Sequence, residues 1–97
     1  MIKHVVLFKI KPEATAAERQ RLVDALNALP GLIPEIKGFR IALSVPGRPA
    51  RFYHLALFAD FADVAAVDRY IVHPDHQRAV QIVDAVCEHR AVFNYED

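Results

Sequence analysis

IKHVVLFKIK, residues 2–11, is the stretch that decides the fold. Read with a period of two, it places Ile2, His4, Val6, Phe8 and Ile10 on one face and Lys3, Val5, Leu7 and Lys9 on the other. This is a β-strand pattern, and the centres of both faces are apolar, so the strand must be covered on both sides. The chain has 97 residues, enough for one domain over 1–97 and not for two. Its own helices can supply one cover. The other must come from elsewhere.

Working outward, Thr15 opens T-A-A-E, a capping box in which Glu18 reaches back to the cap. Leu22, Ala25, Leu26 and Leu29 follow at helical spacing, which predicts a helix over 16–29 that Pro30 and Gly31 end. Residues 36–45 read as a second strand, with Gly38 weakening its start, and PGRPAR (46–51) as a turn cluster. FYHLALFAD (52–60) reads as a third strand, with Phe52, His54, Ala56 and Phe58 on one face and Tyr53, Leu55, Leu57 and Ala59 on the other. Asp60 is the expected N-cap of a helix over 61–71, with Asp63 in its first turn. Pro74 breaks that helix and suits the first position of a new one over 74–88, whose stripe carries His76, Val80, Val83 and Cys87. RAVFNY (90–95) closes the chain as a fourth strand.

The order β-α-β-β-α-β, with right-handed crossovers, gives an α+β ferredoxin-like sandwich: a four-stranded antiparallel sheet with both helices on one face. The uncovered face is expected to carry Val5, Leu7, Leu55 and Leu57. A second copy of the chain is the simplest partner for it, so a homodimer is expected.

Composition narrows the function classes. Twelve Lys and Arg balance twelve Asp and Glu, so no long-range field favours nucleic acid or an anionic membrane. Lys3, Lys9 and Lys11 interrupt the apolar opening, which therefore reads as neither a signal peptide nor a membrane span. Cys87 is the one cysteine, so no internal disulfide forms, and it reads as a small buried hydrophobe in a reducing compartment. A cytoplasmic, self-associating domain is the expectation.

The chemistry concentrates in YIVHPDH, residues 70–76. On an unbroken helix Tyr70 and His76 would stand about 120° apart, from 3.6 residues per turn. The kink at Pro74 can bring them to one cavity mouth, where a phenol could hold a carbonyl or enolate oxygen while the imidazole moves a proton. Tyr70 capping the core and His76 simply buried and paired to a backbone carbonyl are the alternative readings. His73 falls at the expected N-cap, and Asp75 suits the first-turn dipole. His4 and His54 share a nominal face of neighbouring strands. With 4 opposite 58 and 54 opposite 8, they lie about 13 Å apart at about 3.3 Å per residue, too far to share a metal. No metal site is expected. His89 is expected at a last helical turn, and Arg48 and Arg51 flank a hairpin turn as solvated charges. No phosphate loop, dinucleotide fingerprint, nucleophile elbow or Cys-x-x-Cys is present, and no cofactor is expected.

HVVLFKIK, FYHLALF and above all Y-x-x-H-P-x-H together resemble the stress-responsive dimeric α/β barrel (Dabb) family, over about Ile2 to Tyr95. The resemblance implies a homodimer whose two sheets pack face to face as a barrel, with a cavity in each subunit between sheet and helices. The family is functionally mixed and includes plant stress proteins and a plant polyketide cyclase, olivetolic acid cyclase. In that cyclase a tyrosine and a histidine corresponding to Tyr70 and His76 serve catalysis. Histidines corresponding to His4, His54 and His73 lie in or beside its cavity. The chain departs from the cyclase in LVDALNAL, where aliphatic Leu22, Val23 and Leu26 replace aromatics and imply a differently shaped pocket.

The expectation is a largely apolar pocket edged by Tyr70, His76, His4 and His54, with His73 at its rim. It would serve a cofactor-independent acid/base enzyme, cyclase- or isomerase-like, acting on a small carbonyl or aromatic compound. The rivals are a non-catalytic stress-response or ligand-binding domain and a cofactor-independent monooxygenase of the same fold.

Overall fold

A computed structural model describes residues 1–97. The elements run β1 (Ile2–Ile10), α1 (Ala16–Leu32), β2 (Gly38–Leu43), β3 (Leu55–Phe61), α2 (Val64–Val72), α3 (Pro74–Val86) and β4 (Cys87–Glu96). The strands form one antiparallel sheet in the order β2-β3-β1-β4. The fold is the expected ferredoxin-like α+β sandwich. No helix is long and apolar enough to cross a membrane.

Local chemistry explains most of the boundaries. Thr15 and Glu18 close the capping box in both directions. α1 runs past Pro30 to Leu32, later than the sequence suggests. Pro30 sits in the last turn, and beyond it the Ile33 N–H still reaches Leu29 O, so the helix extends two residues past the proline. The α2 cap is Asp63, whose carboxylate accepts from the Ala66 N–H, and not Asp60. Asp60 stays in β3 and pairs with Lys3 across the sheet at 3.0 Å. That pair also explains Gly38, the partner of Asp60 on β2: a Cβ at 38 would collide with the Asp60 carboxylate.

The largest correction concerns the β1–β3 register. Val5, and not His4, stands opposite Phe58, and Phe8 stands opposite Leu55. A one-residue slip exchanges the two faces of a strand. Leu55 and Leu57 therefore point toward the helices, at 2% and 1% exposure, and join the core with Val6, Phe8, Leu22, Leu26 and Phe61. They are not on the uncovered face. That face is built from Val5 and Leu7 on β1, Ala56 and Phe58 on β3, and Ala91, Phe93 and Tyr95 on β4.

Replacing Leu55 with Ala therefore tests the register. It is expected to cost about 2–5 kcal/mol in chemical denaturation, the usual range for a buried leucine, with no change in subunit association. Unchanged stability with weakened association would restore the slipped register.

Candidate functional site

The chain break at Pro74 builds the centre of the site. In a continuous helix the Asp75 N–H would bond to Ile71 O. Here the His73 ring caps α3 and its Nδ1 accepts from the Asp75 N–H at 3.1 Å. Ile71 O is left without that helical donor. Two side chains take it: the Gln77 amide at 2.8 Å and the His76 Nδ1–H at 2.9 Å. Because a carbonyl can only accept, His76 carries its proton on Nδ1 and keeps a bare lone pair on Nε2. The same break swings the His76 ring over Tyr70, with centroids 4.3 Å apart.

Tyr70 is 2% exposed and wedged between Phe61 and His76. Its hydroxyl has no hydrogen-bond partner within the chain, yet no sealed side-chain polar atom is left unpaired. The hydroxyl therefore opens onto the adjacent space. Burial pushes its pKa up to about 12, which keeps it a proton donor in hydrogen bonds at any ordinary pH.

His4, 4% exposed, stands edge-on to Tyr70 at 5.7 Å. Its Nδ1–H donates to Asn94 Oδ1, the side chain of its cross-strand partner on β4. Its Nε2 is therefore also an unprotonated acceptor. Desolvation lowers the pKa of both His4 and His76 below the usual imidazole value; hydrogen bonds to Asn94 and Ile71 respectively oppose the shift. Both rings are neutral at pH 7.

These groups line a cavity of about 200 Å³ between the sheet and the helices. Val6, Phe8 and Leu57 form its floor, Leu26 and Leu29 of α1 one wall, and Ala79, Val80 and Val83 of α3 another. Of the three α1 residues singled out in LVDALNAL, Leu26 lines this cavity, whereas Leu22 is sealed in the core and Val23 lines another groove.

Two of the sequence-assigned residues lie outside this cavity. His54 falls just before β3, and its Nδ1 accepts from the Ile10 N–H at 3.0 Å. It lines a separate, wider groove of about 480 Å³ beside the 44–54 loop, with Val23, Arg19 and Arg48. The register shift is the cause, since it removes His54 from the strand face that His4 occupies. His73 is spent as the α3 cap and lies near Asp75, which also pairs with Arg78. His89 is on β4 and not in a helical turn, and its Nδ1 shares a hydrogen bond with the Tyr53 hydroxyl at 2.8 Å. No cluster of three or more histidine, cysteine or acidic side chains could hold a metal ion.

Sequence reasoning missed Asn94 and Arg90. Both lie on the helix-facing side of β4, opposite His4 and Phe8, and Arg90 lines the cavity. Their signal was the alternation Arg90, Val92, Asn94 in the last strand, legible only once β4 is paired with β1.

The fold and the cavity define a ferredoxin-like barrel subunit with a small apolar chamber carrying one phenol and two neutral imidazoles. The chain belongs to the stress responsive A/B barrel domain family, whose model matches residues 2–97. It is 34% identical over 84 residues to an uncharacterized protein of Streptomyces coelicolor, covering 84% of this chain and 86% of that protein. A dimeric protein of unknown function and ferredoxin-like fold from Bacteroides fragilis superposes with a TM-score of 0.83 at 31% identity, covering 99% and 95% of the two chains. The hydroxynitrile lyase of Passiflora edulis shares the fold at a TM-score of 0.86 and 18% identity, covering 97% and 90%.

Proposed function

We propose that the protein is a homodimeric, cofactor-independent acid/base enzyme, cyclase- or isomerase-like, acting on a small carbonyl compound held between sheet and helices. The observation that carries this reading is the close Tyr70–His76 ring pair at one cavity, with His76 Nδ1 tied to Ile71 O and Nε2 left free. Tyr70 would donate a hydrogen bond to the substrate carbonyl. Nε2 of His76 would take a proton from the adjacent carbon, so that the C–H electron pair becomes the enolate π-bond and the negative charge falls on the oxygen facing the phenol. Return of the proton to carbon from the imidazolium, or attack of the enolate carbon on a second carbonyl of the same molecule, would complete an isomerisation or a cyclisation. His4, across the Tyr70 ring, supplies a second base with the same tautomer.

Dimerisation through the open face of the sheet is part of the proposal. Its support is the apolar group of Val5, Leu7, Phe58 and Phe93 on that face, together with the dimeric relative from Bacteroides fragilis. A cytoplasmic setting suits the free, buried Cys87 thiol.

The test is deuterium uptake. Wild-type protein in D₂O is expected to exchange the α-protons of at least one compound in a panel of small aryl and alkyl ketones and oxo acids, followed by proton NMR. A dimer that holds such ketones without exchanging them would be the ligand-binding domain of the rival reading.

A further inference from the structure

The cavity that holds Tyr70 and His76 has one permanently charged wall residue. Arg90 projects from the helix-facing side of β4, opposite Phe8, and joins Val92 at the rim. No carboxylate lines the chamber, and the other wall residues are apolar apart from the phenol and the two imidazoles. The guanidinium is 39% exposed, so its free donors are available to an anion that arrives with the ligand. Its nearest internal counter-charge is Asp84, 3.7 Å away and 65% exposed, a loose surface pair that leaves most of the five N–H donors free.

We propose that Arg90 makes this cavity selective for small monocarboxylates with an apolar or single-ring body, and so defines the substrate class as a small oxo-carboxylate. The carboxylate would lie against the Arg90 fork at the rim, accepting two parallel N–H bonds. The body would fill the space over Phe8 and Leu26. The carbonyl would reach the Tyr70 hydroxyl at the inner end. A chamber of about 200 Å³ lies below the roughly 300–1,000 Å³ of sites for drug-sized ligands, which limits the body to a few carbons or one ring. This assignment rests on the acid/base reading of the same site, but its test does not depend on turnover.

The experiment is an NMR titration of protein with ¹⁵N-labelled histidine rings, using benzoate and its neutral near-isostere benzamide as probes. Benzoate is expected to bind the wild type at least about tenfold more tightly than benzamide and to shift the ring nitrogens of His4 and His76. Arg90→Gln should erase that preference, leaving benzamide affinity unchanged, and Arg90→Lys should restore part of it. Arg90 is on an exposed edge strand, and equal melting temperatures would show that the variants are folded. Equal affinity of the two probes for the wild type overturns the proposal, as does undiminished benzoate binding by Arg90→Gln or the absence of saturable binding by either probe. Ketone exchange with deuterium in that event would show that the acid/base reading survives for neutral substrates.

Discussion

Replacing His76 with Ala, or Tyr70 with Phe, is expected to lower turnover of an exchanging ketone or oxo acid by about 10²–10⁴, the usual worth of a positioned acid–base group. The two rings are in contact and would act as a unit, so the double variant should lose little more than the worse single one. The pH profile has a definite sign. Burial depresses the His76 pKa, so the base is lost, and kcat/KM falls, as pH drops through a value below the usual 6.5 of an imidazole. Tyr70, raised to about 12, imposes no loss on the alkaline side until far above neutrality. A broad plateau across pH 7–9 is therefore expected. If the residues are only structural, the variants will melt earlier while the folded fraction keeps its full rate.

The second large effect concerns the open face of the sheet. Leu7→Lys places an ammonium amid Val5, Ala56 and Ala91, and two-fold symmetry places it twice in one interface. An uncompensated buried charge costs about 3–5 kcal/mol, and each 1.4 kcal/mol is about tenfold in association. Sedimentation equilibrium should then show association weakened by at least about a hundredfold relative to the wild type, with a folded monomer by circular dichroism. Phe93 and Tyr95, 64% and 45% exposed in the single chain and stacked at 5.9 Å, belong to the same surface and become covered in such a dimer. A Leu7→Lys protein that stays as tightly dimeric as the wild type would place the interface elsewhere.

The alternation in residues 2–11 carried the fold because a period of two with apolar centres on both faces has few solutions. Thr15 and Pro74 were legible for the same reason, since a capping box and a proline after a helical run act through the backbone directly. The β1–β3 register was not legible. β1 and β3 are neighbours in the sheet but are separated in the chain by α1 and β2, so no turn fixes their register. Asp60 was read as the cap of the following helix, but its pairing with Lys3 keeps it in the strand and Asp63 caps the helix instead.

The candidate site divides in the same way. Tyr70, His76 and His4 converge as the sequence suggested, because a local kink and one strand face place them. His54 depended on the register and fell on the other groove. Asn94 and Arg90 needed a contact between the two ends of the chain, which no local pattern encodes.

The most direct check on the free base is the ring tautomer. ¹⁵N shifts and one-bond couplings of His76, measured from pH 4 to 9, read both the protonated nitrogen and the pKa. The expected result at pH 7 is a neutral ring with the proton on Nδ1, a bare Nε2 and a pKa below 6.5. An Nε2–H tautomer, or a ring still protonated at pH 7, would remove the lone pair on which the chemistry depends.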